Sequence, residues 1–226
     1  MKDRRLFLFD IDGTLITSGG AGSAAMRSAF AAIYGIEDGF KSIEFSGRSD
    51  FAIFEDALNG AGVSPEAFGE AMRRFKHTYY RHLPASLAGH EGRVLPGVVQ
   101  LLDDLSREPD TTLALGTGNF RRSAGLKLQH YKLHQYFRCG GFGDRTGHRP
   151  TLIEQGIRSA NRLAGKHGTV FVIGDTVHDV AAAKANDAVA VAVATGTASL
   201  TELEASGADV VLPTLETALR YFSNGS

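Results

Sequence analysis

Residues 6–15 read LFLFDIDGTL: four consecutive large apolar residues run straight into Asp10 and Asp12, one residue apart, and then into Gly13 and Thr14. A short apolar run rich in aromatics reads as a strand covered on both faces. Both acids then lie at its carboxyl end, which is where open parallel α/β sheets keep their ligands. A strand that delivers two acids to one spot needs something to keep them ionised there, and the rest of the chain must supply it.

Further apolar runs follow: TTLALG at 111–116, FRCGGF at 137–142, TVFVIG at 169–174, AVAVAV at 188–193 and ADVVL at 208–212. Helical patterns over 120–130, 151–164, 177–185 and 199–206 separate them. This alternation predicts an α/β fold, a Rossmann-like parallel sheet with helices on both faces. Right-handed crossovers would gather the carboxyl ends of the strands on one rim. Residues 17–94 break the alternation, with no convincing strand but amphipathic segments near 21–34, 50–61 and 65–82. Ser64 and Pro65 are placed as N-cap and first residue of the third. VLPGVVQLLDDLSRE at 94–108 resumes the core pattern, with Pro96 opening a helix. The expected organisation is a core of residues 1–16 and 95–226 with an all-helical insert, residues 17–94, after the first strand.

A chain of 226 residues is long enough for such a core and insert without disulfides. Its single cysteine, Cys139, excludes an intramolecular bridge and favours a reducing, cytoplasmic setting. A formal charge of −1, with no run of like charges, argues against an electrostatic grip on nucleic acid or an anionic membrane. The apolar stretch before Asp10 is too short for a signal peptide or a spanning helix.

In a parallel sheet the groups at the strand ends meet. The first end carries Asp10, Asp12, Gly13 and Thr14; the second carries GTGN at 116–119. GDRTGHRP with Arg145 and Arg149 follows the third strand, and GDTVHDV with Asp175 and Asp179 follows the fourth. Several carboxylates in one place repel one another unless a cation compensates. Hard oxygen ligands, with no His or Cys spacing that suits a softer metal, point to Mg²⁺. GTGN offers a hydroxyl, an amide and small glycines that let backbone N–H groups approach an anion. Acids with Mg²⁺, amides, a hydroxyl and a cation describe a phosphoryl-transfer site, and the absence of G-x-x-x-x-G-K-[ST] excludes a P-loop nucleotide site.

In order and spacing, FDIDGTL, LGTGN, Arg149-Pro150 and GDTVHD resemble the four motifs of the haloacid dehalogenase-like hydrolase superfamily. The insert resembles that superfamily's C1-type cap, and the pattern is most similar to the phosphoglycolate phosphatase-like subgroup. The resemblance implies that Asp10 is the nucleophile, forming an aspartyl-phosphate, and that Asp12 protonates the leaving oxygen and then activates water. It implies a Mg²⁺ ion held by Asp10, the backbone carbonyl of Asp12, and Asp175, with Asp179 completing the acidic cluster behind them or through water. Thr117 and the amide of Gly118 would bind phosphate oxygens, and Arg149 would neutralise phosphate and nucleophile where the family often has Lys.

Simpler readings stand beside some of these roles. Thr117 also suits a turn, Arg149 a surface charge, and Asp179 a partner for a helix dipole. Arg145 competes with Arg149, which is preferred because it directly precedes the next helix. In the insert, FSGRSD at 45–50 puts Arg48 where it could contact a substrate carboxylate or phosphate, or else simply leads to Ser49 as N-cap. Phe54, Phe75, Tyr79 and Tyr80 read as the insert's own core. The expected function is a Mg²⁺-dependent phosphatase acting on a small phosphorylated metabolite, phosphoglycolate being the first to test. The alternatives are a phosphosugar mutase of the same superfamily and a non-enzymatic phosphoacceptor; Asp12 counts against a dehalogenase.

Overall fold

The computed structural model describes residues 4–62 and 68–223. The chain first forms strand β1 (Arg5–Phe9), and its alternation decides the layers. Phe7 and Phe9 enter one hydrophobic core with helices α4 (Val98–Arg107), α5 (Arg121–His130) and α9 (Leu219–Ser223). Leu6 and Leu8 enter the opposite core with α6 (Arg149–Ala164), α7 (Val177–Lys184) and α8 (Leu200–Ala205). Side chains two apart share a face, so a strand that is apolar throughout must be covered on both sides.

β1 lies between β4 (Thr111–Thr117) and β6 (Thr169–Gly174), in a six-stranded sheet of order β5-β4-β1-β6-β7-β8 whose neighbours are all parallel. The remaining strands are β5 (Gly140–Phe142), β7 (Val189–Val193) and β8 (Val210–Leu212). Phe9 is level with Leu115 on one side and Ile173 on the other, which brings the ends of β1, β4 and β6 to one height. The order runs outward from β1 to β5, then returns across β1 to β6. β1 is therefore the point where the winding reverses, the place where such sheets open a crevice at their carboxyl ends.

Two short strands, β2 (Ile16–Thr17) and β3 (Arg93–Val94), pair antiparallel and carry the chain out to the helices between them and back. These are α1 (Ala21–Tyr34), α2 (Asp50–Gly60) and α3 (Phe68–Gly89). They bury their own aromatic core: Phe54 stacks on Phe75 with centroids 3.8 Å apart, and Phe30 meets Phe40 edge-on at 5.2 Å. Phe54, Phe75 and Tyr79 are fully buried in it, and Tyr80 packs against its margin. Ser49 caps α2 by accepting the N–H of Ala52 at 3.2 Å.

Several expectations shift at their edges. The 17–94 segment is not strand-free, because β2 runs into it from Ile16 to Thr17 and β3 closes it. α4 begins at Val98, not at Pro96: Gly97 holds φ +82° and Val94 is spent in β3, so the helix starts later. The third core strand is confined to Gly140–Phe142, the three residues that pair with Leu115–Thr117 of β4, and Phe137–Cys139 only lead into it from a 3₁₀ turn at His134–Tyr136. α3 runs on to Gly89, and the Ser64–Pro65 cap lies outside the described residues. Among the described residues no helix is long and apolar enough to cross a membrane.

The helices α1–α3 meet the core mainly at α5. The amide of Asp50 donates to Gly118 O at 2.8 Å, and its carboxylate accepts the Phe120 N–H and the Ser123 hydroxyl, each at 2.9 Å. An acid of α2 thus satisfies the N-terminal amide of α5. Lys76 on α3 adds an ion pair to Asp144 at 2.9 Å. Burial raises the Asp50 carboxyl to about 6, against the pull of the Lys127 ammonium and the two donors.

Helix α6 approaches the sheet closely because glycines face it. A Cβ on Gly141 would lie 1.7 Å from the Leu152 carbonyl oxygen. Gly141→Ala must push α6 off the sheet and is expected to cost about 3 kcal/mol, the upper range for overpacking, read as a lowered urea midpoint. Gly125→Ala at an exposed position of α5, where a Cβ meets nothing, is expected to gain about 1 kcal/mol in the same measurement. Asp50 generates a pH effect. Its raised native value means that the folded state keeps a proton which the unfolded chain releases, so its contribution is full below the ordinary carboxylate value and fades as pH rises through about 6. Urea titrations of wild type and Asp50→Asn should diverge by about 3 kcal/mol across that window, with wild type gaining on acidification.

Candidate active site

The loop after β1 is folded by its own backbone. Leu15 and Ile16 donate to Ile11 O at 2.9 and 3.0 Å, and Gly13 donates to Ile16 O at 2.8 Å. Gly13 holds φ +86°, and a Cβ there would stand 2.3 Å from an Asp175 oxygen, so only glycine fits between the first motif and the fourth. Thr14 donates its hydroxyl to Asp175 Oδ1 at 3.1 Å. Asp10 extends the ladder by donating its amide to Ile173 O at 2.9 Å.

Oxygens of Asp10, Asp175 and Asp179 all lie within 4.8 Å of one another, and all three residues are buried. Burial raises the Asp10 carboxyl, and the charges of Asp179 and Asp12 add to this against Arg149. Burial also pushes Asp175 up to about 8, reinforced by Asp10 and Asp179. Crowded hard oxygens that resist ionisation side by side suit a divalent cation, whose charge removes the repulsion.

Arg149, the first residue of α6, is buried and forks across the cluster. Its Nη2 pairs with Asp10 Oδ2 at 2.9 Å, while Nε and Nη2 donate to Asp179 Oδ1 at 2.9 and 2.5 Å. The other Asp179 oxygen accepts the Thr176 amide and hydroxyl at 3.1 and 2.7 Å, closing a capping box on α7. Asp179 thus holds Arg149 and the start of α7 at once. The competing Arg145 faces a different hollow, with Lys76 and Asp144.

Asp12 points away from this cluster. Its Oδ2 accepts the Lys127 ammonium at 2.6 Å and the Asn119 amide at 2.8 Å. Lys127 also donates to Asn119 Oδ1 at 2.7 Å. Burial drives the ammonium down, but Asp12 and Asp50 together outweigh it and leave Lys127 raised. Thr117 is fully buried at the end of β4, and its hydroxyl accepts the Asn119 backbone and side-chain N–H groups at 3.2 and 3.0 Å. With both lone pairs taken, its proton is left to donate. Gly118 and Asn119 line the adjoining cavity.

That cavity, about 470 Å³, opens between the sheet rim and α1–α3, and Asp10, Asp12, Asp175 and Arg149 line it. Arg48 lines it as well and pairs with Asp56 at 2.7 Å. The structure therefore brings Asp10, Asp12, Gly118, Arg149 and Asp175 to one cavity, with Arg48 at its wall and Thr117 and Asp179 directly behind. Sequence reasoning missed Lys127 and Asp50. The available signal was a charge on an otherwise apolar helix face: Lys127 beside Ala124 and Leu128 on α5, and Asp50 beside Ile53 and Phe54 on α2, each of them buried.

Residues 7–193 match the haloacid dehalogenase-like hydrolase family. Among curated relatives, a probable phosphatase, IndB, of Dickeya dadantii is 29% identical over 210 residues, covering 92% of this chain and 89% of that protein. A phosphoglycolate phosphatase of Agrobacterium fabrum is 26% identical over 188 residues, covering 79% of this chain and 76% of that protein. Among solved structures, a hydrolase from Pseudomonas syringae superposes over 100% of both chains with a TM-score of 0.68 at 22% identity. The buried acids at the reversal point of the sheet and the match across most of the chain agree: this protein is a hydrolase and belongs to the haloacid dehalogenase-like family.

Proposed function

We propose that this hydrolase is a Mg²⁺-dependent phosphatase of small phosphate monoesters, working through an aspartyl-phosphate on Asp10, with phosphoglycolate as the first substrate to test. One observation carries the reading. Two aspartates one residue apart stand in opposite surroundings: Asp10 among carboxylates with Arg149 on it, Asp12 on the ammonium of Lys127. Neighbouring carboxylates with divided environments suit divided roles, a nucleophile and an acid–base.

Asp10, Asp175 and the main-chain carbonyl of Asp12 would hold Mg²⁺, an assignment supported by the hard oxygen set and by the raised Asp10 and Asp175. When bound, the ion supplies positive charge to the transferring phosphoryl group. Asp10 attacks phosphorus, and the bond to the leaving oxygen breaks as that oxygen takes a proton from Asp12. Water, giving a proton back to Asp12, then releases phosphate and restores the Asp10 carboxylate. Arg149 and the Thr117 hydroxyl with the Gly118 amide stabilise the phosphoryl oxygens. Asp179 positions Arg149.

Residues 17–94 act as a cap domain over a core of residues 1–16 and 95–226, excluding bulk water during reaction. The cavity volume favours a small metabolite over a phosphoprotein or a nucleic acid. Tyr79 is among the residues around this cavity; its hydroxyl is buried and meets no hydrogen-bond partner within 3.5 Å among the described residues, and it would offer a donor to a polar leaving group. Arg48 offers a second contact if it leaves Asp56.

Purified protein is expected to release phosphate from phosphoglycolate or another small monoester only with Mg²⁺, and chelation should abolish it. Asp10→Asn should reduce release to background. Asp12→Ala should lose about 10²–10⁴-fold in rate while a labelled phospho-enzyme becomes trappable. Retention of rate by Asp10→Asn would sink the nucleophile assignment. One stoichiometric phosphorylation without turnover would indicate the phosphoacceptor, and isomerisation of a sugar phosphate without phosphate release the mutase.

A further inference from the structure

The face of α5 that enters the core carries Ser123, Ala124, Lys127 and Leu128, so a lysine occupies a position where an apolar residue would pack. Lys127 is only 4% exposed. Burying an ammonium carries a desolvation penalty comparable with what a well-placed ion pair returns. Such a residue therefore calls for a reason beyond packing. Its surroundings supply two: the buried carboxylate of Asp50, which it attracts without a hydrogen bond, and the carboxylate of Asp12, which it bonds directly.

The bonds to Asp12 all fall on one side. Oδ2 accepts Lys127 at 2.6 Å and Asn119 at 2.8 Å; among the described residues Oδ1 accepts nothing. Lys127 and Asn119 are themselves joined at 2.7 Å, and Asn119 is tied to the Thr117 hydroxyl at 3.0 Å. The result is a ring linking the acid–base to the residue placed against the phosphate. Gly22 on α1 leaves room for it, since a Cβ there would stand 3.3 Å from the Lys127 ammonium. With both acceptor directions of Oδ2 occupied, the side chain cannot spin, and only Oδ1 remains to exchange a proton with a ligand in the cavity.

We propose that Lys127 is a positioning residue for acid–base catalysis: together with Asn119 it pins Asp12 through Oδ2 and presents Oδ1 to the leaving oxygen. The inference rests on the phosphatase reading above. In the first step Asp10 forms its bond to phosphorus, the bond from phosphorus to the leaving oxygen breaks with its electron pair going to that oxygen, and the proton on Asp12 Oδ1 neutralises it. In the second step Oδ1 takes a proton from the attacking water as the bond from phosphorus to Asp10 breaks. A lysine serving only to neutralise Asp50 would support the fold and leave proton delivery untouched.

Leaving-group dependence separates the two roles. Acetyl phosphate releases a carboxylate that needs no proton at departure, whereas an alkyl phosphate of similar size releases an alkoxide that does. kcat/KM covers the steps through that departure, so it is measured for acetyl phosphate and for the alkyl phosphate turned over in the phosphatase assay. Lys127→Met is expected to lower the alkyl value about 10²-fold and the acetyl phosphate value far less, in the same sense as Asp12→Ala. Lys127→Arg should recover part of the alkyl rate, and Asn119→Ala should show a smaller selective loss. If Lys127→Met does not fold, the comparison is made between Asp50→Asn and the double variant Asp50→Asn/Lys127→Met, in which the buried carboxylate that needs the ammonium is gone. Equal losses on both substrates in the folded variants, or no loss, overturn the proposal. Failure of the phosphatase reading shows elsewhere, as wild type that turns over neither substrate or Asp10→Asn that keeps its rate.

Discussion

The carboxylates of Asp10, Asp175 and Asp179 are pressed together out of water, and the neighbouring chain is arranged around that repulsion. Each acid has a counterpart, and one is shared: Arg149 for Asp10, the Thr14 hydroxyl for Asp175, and Arg149 again with the Thr176 cap for Asp179. The guanidinium matters here as a shape. One nitrogen reaches Asp10 and Asp179 at once while a second holds Asp179, which a single ammonium at the end of a flexible stem would not reproduce with the same rigidity. Arg149 is therefore both the charge of the cluster and the strut that keeps the start of α6 against the start of α7. Even so, among the described residues Asp10, Asp12, Asp50, Asp175 and Asp179 gather around two cations, Arg149 and Lys127, since Arg48 on the same cavity is paired with Asp56. This deficit of positive charge is the physical ground for expecting a divalent ion, and it is independent of any likeness to other proteins.

The second organising element is α5. Phe120, at its N-cap, is buried in the aromatic core of α1–α3, while Ala124 and Leu128 belong to the core of the sheet. Its terminal amide is capped by Asp50 from α2, and Lys127 near its other end reaches Asp12. A displacement of the helical insert would thus pull on the element that holds Asp12. The wall of the cavity and the placement of Asp12 share residues of α5 and α2, so each depends on the contacts of the other.

Much of this was legible in the chain because the signals are local and the geometry follows from topology. The run 6–9 could only be a doubly covered strand, and its level register with β4 and β6 brings positions as distant as Asp10 and Asp175 together. The helices α1 and α6–α8 follow apolar periodicity and end where caps and glycines stop them. What escaped depends on partners across the fold. Two-residue strands such as β2 and β3 are too short to carry a period, and exist because the chain must leave and re-enter at one place. Gly97 delays α4 through a left-handed conformation that its neighbour Pro96 does not announce. Lys127 and Asp50 escaped for a deeper reason: a lone charge on an apolar face normally means a solvated edge, and only the tertiary approach of Asp12 and of the α5 terminus turns each into a buried partner.

A pair of aspartates two positions apart is, in the sequence, symmetrical. The backbone removes the symmetry. Asp10 still follows the ladder, its amide bonded to Ile173, so it remains with the strand-end cluster. Asp12 comes after the chain has turned, and there its side chain meets α5 and the wall beneath α1–α3. The difference in their surroundings therefore originates locally, in the bend at Ile11, whose carbonyl accepts the Leu15 and Ile16 amides, with Gly13 closing the turn at positive φ against Asp175. Each of the two buried cations then has one aspartate of the pair, Arg149 taking Asp10 and Lys127 taking Asp12.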